Sequence, residues 1–224
     1  LLDQMIECNT AIAQEGMHGD YGANIGKVIA IRKDLPSLLK AYAAAGSDAR
    51  MNGCELPVVI NSGSGNQGLT VSVPLIVYAE REHLDKEKLY RALVISNLTA
   101  IHLKTEIGRL SAFCGAVSAG AACGAGLAYL KDASEEVMNH TIVNALAITS
   151  GIICDGAKAS CAAKIAVSVE AGILGYDMYM NGQQFYGGDG IISKGIENTI
   201  HNIGVLGSQG MASTDQEIIK IMCE

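Results

Sequence analysis

The uncharged stretch LSAFCGAVSAGAACGAGLAYL, residues 110–130, is rich in Ala, Gly and Ser. A helix of such residues is apolar all round, so it must be buried, and its short side chains let neighbouring backbones come close. The rest of the chain offers the same material. It is 49% hydrophobic but only 4% aromatic, with no Trp, so the core has to be made of Ala, Ile, Leu, Val, Met and Gly. In a bilayer the stretch would read as close helix pairing. Charged neighbours flank it, however, and no uninterrupted apolar run reaches the roughly 18 residues a membrane span needs. The sequence therefore predicts a buried helix over 110–130 inside a bundle.

The remaining periodicity is helical as well. Residues 2–15 place Leu2, Met5, Ile6, Cys8, Ala11 and Ile12 near one face, and Gly16 and Gly19 are expected to break that helix. Further helices are predicted over 21–33 and over 36–51, where Pro36 suits a first turn. Residues 67–82 read as helical or mixed, because Val71, Val73 and Pro74 locally favour strand. Asp85 caps a helix running to about Gly108, with Leu89, Leu93, Ile95, Leu98, Ile101 and Leu103 on a broad apolar face. Ser134 opens another that runs to Ser150, Asp155-Gly156 makes a break, and helices follow over 157–174 and from Ser193 to about 206. Ser213-Thr214-Asp215 opens the last, with Glu217 set to complete a cap. The fold class expected is all-α: one multi-helix domain over residues 1–224, with a buried Ala/Gly-rich core.

A formal net charge of -7 speaks against a nucleic-acid surface, which relies on clustered Lys and Arg. With no basic, apolar and cleavable leader at its start, the chain is expected to be cytoplasmic. It opens without Met in the middle of a helical pattern, as expected of a fragment of a longer protein. Seven cysteines without an export signal suit reduced thiols, metal ligation or redox chemistry better than disulfides. The Gly-rich helices suit a homodimer interface and a core equally well.

In NSGSGNQGLTVSVPLIVYAE, residues 61–80, three glycines fall within residues 63–68, directly before an apolar segment. Two readings are open. Bare backbone at the start of a helix presents unpaired N–H groups and a positive dipole end to a small anion. Alternatively, Ser and Asn side chains stabilise a tight connection. The motif lacks the Lys-Ser/Thr ending of a phosphate-binding loop and the glycine spacing of a dinucleotide site.

Two further stretches carry cysteines: LSAFCGAVSAGAACG, with Cys114 and Cys123, and SGIICDGAKASCAAK, with Cys154 and Cys161. On one straight helix Cys154 and Cys161 would lie about 10.5 Å apart along the axis, a poor fit to one compact metal centre. A loop through Cys154, Asp155 and Gly156, leading into a helix with Cys161 in its first turns, would bring both thiols to one side. It would also set Cys154 near a helix N-terminus, which favours thiolate. With Cys114 about forty residues away, three thiolates could hold an iron–sulfur cluster whose fourth iron stays open for Lewis-acid chemistry. The competing reading makes these cysteines small apolar side chains in Ala-rich helices. The C-x6-C spacing is no strong zinc or ferredoxin signature. Cys8, Cys54 and Cys223 read as structural, and Cys123 as a substitute ligand for Cys114.

Taken together and in this order, SGSGNQGLTVSVPL, HLKTEIGRLSAFCGAVSAGAACG and SGIICDGAKASCAAK resemble the α-chain family of iron–sulfur-dependent L-serine dehydratases, within it most the L-cysteine desulfidase branch. The likeness covers nearly the whole chain. It implies an oxygen-sensitive [4Fe–4S] cluster on Cys114, Cys154 and Cys161, with the substrate at the open iron. It implies a lyase that eliminates hydrogen sulfide from L-cysteine, or water from L-serine, to give pyruvate and ammonia without pyridoxal phosphate. Beside such a cluster Ser62, Gly63, Ser64, Gly65 and Asn66 would cradle the substrate carboxylate. The resemblance also implies that the catalytic base lies in a preceding portion outside this chain, which would then be the C-terminal, cluster-binding part, partnered by that portion or by another subunit. A domain of another class, a helical assembly or regulatory piece whose cysteines are structural or bind zinc, is the alternative.

Other polar residues near these motifs have plainer readings. Lys104 and Arg109 can neutralise a carboxylate but fit exposed charges better, and His102 reads as a hydrogen-bonded core or interface histidine. Asp155 is expected to position its loop by hydrogen bonding, and Lys158 to solvate a helix face.

Overall fold

The computed structural model describes residues 1–108 and 110–224. Ten α-helices run through them: α1 Leu2–His18, α2 Ile25–Ala30, α3 Leu35–Met51, α4 Gly65–Arg81, α5 Lys86–Ile107, α6 Gly115–Leu130, α7 Glu135–Thr149, α8 Cys161–Met180, α9 Ile196–Val205 and α10 Ala212–Cys223. A short π-helical turn, Leu206–Gly210, joins the last two. Among the described residues the only β-pairing consists of two isolated bridges, Asn61–Ser64 and Phe113–Ile153. No helix there is long and apolar enough to cross a membrane. The all-α single domain expected from the periodicity is what forms.

At its centre is α6, in which every residue except Gly115 and Tyr129 is buried. It packs against α4, α5, α7 and α8, and its small side chains are what permit this. A Cβ on Gly120 would stand 2.3 Å from the Ser168 carbonyl oxygen, and one on Gly124 2.8 Å from the Cα of Gly172, so α6 and α8 cross with backbones in contact. The outer helices begin where their caps dictate. Asp34, Asp85 and Ser134 each accept the N–H of the residue three positions on, and Pro36 sits in the first turn of α3.

Several boundaries depart from the sequence reading. Gly16 does not break α1; it is buried within it, where a Cβ would lie 1.9 Å from the Ala45 carbonyl oxygen. Here glycine serves close approach of α1 to α3 rather than termination. Residues 31–33 leave α2, with Lys33 at φ 63°. Despite Val71, Val73 and Pro74, α4 is helical throughout: continuous burial of residues 67–77 outweighs local strand preference. Leu98 and Ile101, expected inside, are exposed on α5. Residues 110–114 are not helical, and α8 starts at Cys161 rather than 157 and runs on to Met180. The cap expected from Ser213 to Glu217 does not form, as α10 begins at Ala212 without a side-chain cap.

Candidate functional site

The segment before α4 is fixed first. Asn9 of α1, fully buried, accepts the Val59 N–H at 2.9 Å and donates to Ser72 Oγ at 2.9 Å, tying residue 59 to α4. Gly68 lets that segment lie on the helix, since a Cβ there would meet the Val59 carbonyl oxygen at 2.0 Å. Asn61 and Ser64 then exchange both backbone hydrogen bonds, at 3.1 and 2.9 Å. Between them Ser62 (φ 48°) and Gly63 (φ 82°) form a two-residue turn with both φ angles positive, the geometry of a type I′ hairpin turn. Ser64 caps α4 by accepting the Gln67 N–H, and Ser62 donates to Asn61 Oδ1. The structural reading of the SGSGN motif therefore has real content: its hydroxyls serve the turn and the cap.

The cysteines come together by a different device. Residues 112–114 and 152–154 pair antiparallel about the Phe113–Ile153 bridge, the N–H of Cys114 donating to Ile152 O and that of Cys154 to Ala112 O. Beyond Cys154 the chain turns through Gly156 at φ 93° and enters α8, whose first residue is Cys161; its thiol donates to the Gly156 carbonyl at 3.5 Å. Cys114 is itself the N-cap of α6. Cys114 and Cys161 thus stand at the starts of α6 and α8, and Cys154 lies in the loop between α7 and α8 rather than at a helix start. Burial pushes the Cys114 thiol up in pKa, the neighbouring Cys154 and Cys161 adding to it, while the Ala116 N–H and the Lys164 ammonium pull the other way.

A cavity of about 340 Å³ is lined by Cys114, Cys154 and Cys161 together with Ser62, Gly63, Ser64 and Asn66. Gly65 does not line it; it lies under Arg50, whose Nε a Cβ at this position would meet at 2.3 Å. Cys123 is fully buried in α6 away from the cavity, where burial raises its pKa, so it packs rather than substitutes. Cys8, Cys54 and Cys223 also line no part of it. Among the described residues no three His, Cys, Asp or Glu side chains converge on a single-ion site.

Four cavity residues escape the sequence reading. Lys104, expected at the surface, is 5% exposed and lines the cavity, its pKa lowered by burial against the opposing pull of Cys154, Cys114 and Asp215. Arg50 reaches in from α3 and donates from Nη1 to Asn66 Oδ1 at 3.3 Å; it makes no ion pair among the described residues. Lys164, one turn after Cys161, pairs with Asp155 and holds that carboxyl below the usual range. Gln67 is the fourth. Asp155 does position its loop, and Lys158 is exposed in the loop before α8. His102 is not in the core: half exposed on α5, it makes its hydrogen bond with Glu197 of α9 at 2.8 Å. Arg109 lies outside the described residues. Among the described residues no Asp or Glu lines the cavity; Arg50, Lys104 and Lys164 are the cations on its wall, Lys164 being paired with Asp155. A wider cleft of about 660 Å³ between α7 and residues 184–196 shares no lining residue with it.

Comparison with known proteins agrees with these motifs. A UPF0597 protein of Desulfitobacterium hafniense is 64% identical over 99% of this chain and 52% of its own length. Those of Lachnoclostridium phytofermentans and Finegoldia magna are 54% and 52% identical, over 99% and 100% of this chain and 54% of each relative. The chain thus spans about half the length of the curated relatives it matches. No solved structure matches it. The profile described as the serine dehydratase alpha chain matches residues 1–220, and the chain belongs to that family.

Proposed function

We propose that this chain is the cluster-binding part of an amino-acid lyase that eliminates hydrogen sulfide from L-cysteine or water from L-serine. The observation that carries the reading is the sharing of one cavity by three thiols from separate segments, the SGSGN turn and the cations Arg50 and Lys104. The donor set fits the group. Three soft thiolates suit a [4Fe–4S] cluster, whose ligands sit on three different irons and so need not converge on one point; a structural zinc ion requires convergence. When bound on Cys114, Cys154 and Cys161, the cluster supplies an open iron as Lewis acid for the leaving group.

The chain's own residues do the rest of the positioning. Arg50 and Lys104 neutralise the substrate carboxylate, and the first amides of α4, beside Ser62, Gly63, Ser64 and Asn66, help to orient it. Arg50 suits this through its planar fork of donors. Lys164 and Asp155 hold the Cys154 loop against α8. Loss of the α-proton and of sulfide or hydroxide leaves 2-aminoacrylate, which water converts to pyruvate and ammonia. The base that takes the proton belongs to a preceding portion or partner subunit. Reduced thiols and an oxygen-sensitive cluster suit a cytoplasmic setting, and a homodimer is compatible with the exposed Val94, Leu98 and Ile101 of α5.

The test is iron, labile sulfide and visible absorbance after anaerobic reconstitution of wild type and of Cys114→Ala, Cys154→Ala, Cys161→Ala and Cys123→Ala. The first three variants should lose the cluster and the fourth keep it. A wild type that takes up neither iron nor sulfide, while a control protein reconstitutes beside it, would overturn the reading and leave a helical assembly domain.

A further inference from the structure

A carboxylate is only half of an α-amino acid; its ammonium also needs a partner. Among the described residues the cavity wall carries three cations but no carboxylate, so within this chain a neutral acceptor is what can meet that charge. The side-chain acceptors on the wall can be taken in turn. Asn66 Oδ1 already accepts from Arg50, Ser64 Oγ from the Gln67 N–H, and Ser111 Oγ from the Phe113 N–H while donating to Gly207 O. Ser62 Oγ donates to Asn61 Oδ1 and is anchored in the turn by that bond, its side chain only partly buried. Gln67 remains. Its side chain is 6% exposed, and its Oε1 is buried with no hydrogen-bond partner among the described residues.

Its position fits the task. Gln67 is the third residue of α4 and lies directly on the turn that carries Cys114: a Cβ on Gly115 would be 2.5 Å from its Nε2 and 3.1 Å from its Oε1. Gly115 thus leaves room for the amide beside the cluster-binding thiol. A buried acceptor left unpaired costs the fold stability, and such a cost is offset when a ligand brings the missing donor.

We propose that Gln67 Oε1 accepts a hydrogen bond from the substrate's α-ammonium, making this a site for α-amino acids rather than α-hydroxy acids. This rests on the lyase reading above. A hydrogen bond to a charged group is worth roughly twice one between neutral groups, so the amide favours an ammonium over a hydroxyl at the same carbon.

The test uses the full-length, anaerobically reconstituted protein and two ligands without a leaving group at Cβ, L-alanine and its hydroxy counterpart L-lactate, with binding measured by calorimetry. Gln67→Leu should lower the preference for alanine over lactate roughly fivefold or more, with iron content unchanged. Gln67→Glu, which keeps the shape and strengthens the acceptor, should raise that preference by a similar factor, and it decides the matter if the Leu variant does not fold. Equal weakening of both ligands by Gln67→Leu, or a preference unchanged in Gln67→Glu, would overturn the assignment while leaving the lyase reading intact. A cluster-bearing wild type that binds neither ligand and turns over neither cysteine nor serine would overturn the lyase reading, and the assignment with it.

Discussion

Cys114 and Cys154 share one face of a minimal antiparallel ladder: the N–H of Cys114 bonds Ile152 O at 3.1 Å, and that of Cys154 bonds Ala112 O at 2.6 Å. Side chains alternate along a strand, so the two thiols lie opposite the pair between them, Phe113 and Ile153. Diagonal neighbours in such a ladder stand roughly 7–8 Å apart. The spacing of these two thiols, the proposed cluster ligands, is therefore set by backbone hydrogen bonds, and Phe113, fully buried on the other face, pins the ladder to the core.

Phe113→Ala should consequently damage the site without touching a thiol. Truncating a fully buried Phe costs about 3–5 kcal/mol, so chemical denaturation should show a large loss of stability. Iron uptake measured at a temperature where the variant is still folded should also fall, since the ladder that spaces Cys114 and Cys154 loses its anchor. Full iron uptake by the variant would show that the loop holds its geometry without the core contact.

Glycines give a paired prediction. Gly16→Ala drives a methyl group to 1.9 Å from the Ala45 carbonyl, against backbone that cannot turn aside; overpacking of this kind costs about 1–3 kcal/mol or more. Gly151→Ala meets nothing within 4 Å and should leave stability unchanged or raise it by about 0.4–1 kcal/mol, by restricting the unfolded chain. Thermal melts of the two variants would separate them, and equal melting points would contradict the close crossing of α1 and α3.

Those same glycines mark how far the sequence can be read. The helical period, the caps at Asp85 and Ser134 and the small-residue composition of residues 110–130 all act locally, so fold class and the burial of α6 are legible. Gly16 is not, because a glycine that ends a helix and one that admits a neighbour look alike in one dimension. The two-residue ladder at Cys114 has no period to detect. Arg50 and Lys104 reach the cavity only through the packing of α3 against α4 and α8 and of α5 against α4 and α6, and charged residues on helices are ordinarily exposed. The thiols and the SGSGN turn stand out because their residue types are unusual where they stand. Gln67, inside that same motif, does not, because nothing in sequence marks an amide as unpartnered.

Cys123 gives a pH dependence to the metal-free protein. Burial alone raises its pKa above the ordinary thiol value of 9.0. Above that value the unfolded chain releases the proton while the folded one keeps it, so the unfolded state binds fewer protons and stability falls as pH rises. The slope from one such group is about 1.4 kcal/mol per pH unit. Urea unfolding at several pH values above 9 should therefore fall less steeply for Cys123→Ala than for wild type. Parallel slopes would mean that the thiol ionises in place.

Lys104 brings stability and binding into opposition. Its ammonium is buried and its pKa lowered, so the charged form costs the fold stability that a methionine would not. In metal-free protein at neutral pH, Lys104→Met should melt higher, a gain of about 1 kcal/mol or more being usual when buried charge gives way to apolar packing. The sign follows from linkage: below the folded-state pKa the penalty is complete, and as pH climbs toward the ordinary lysine value of 10.5 the folded protein loses its proton before the unfolded one does. The advantage of the variant should accordingly shrink over that range. If Lys104 also neutralises the substrate carboxylate, the same variant in reconstituted full-length protein should bind L-alanine roughly tenfold more weakly, the loss expected for a charge-assisted hydrogen bond. A variant that melts higher and binds alanine as wild type does would make Lys104 a buried charge with no part in recognition, and would leave Arg50 as the carboxylate's partner.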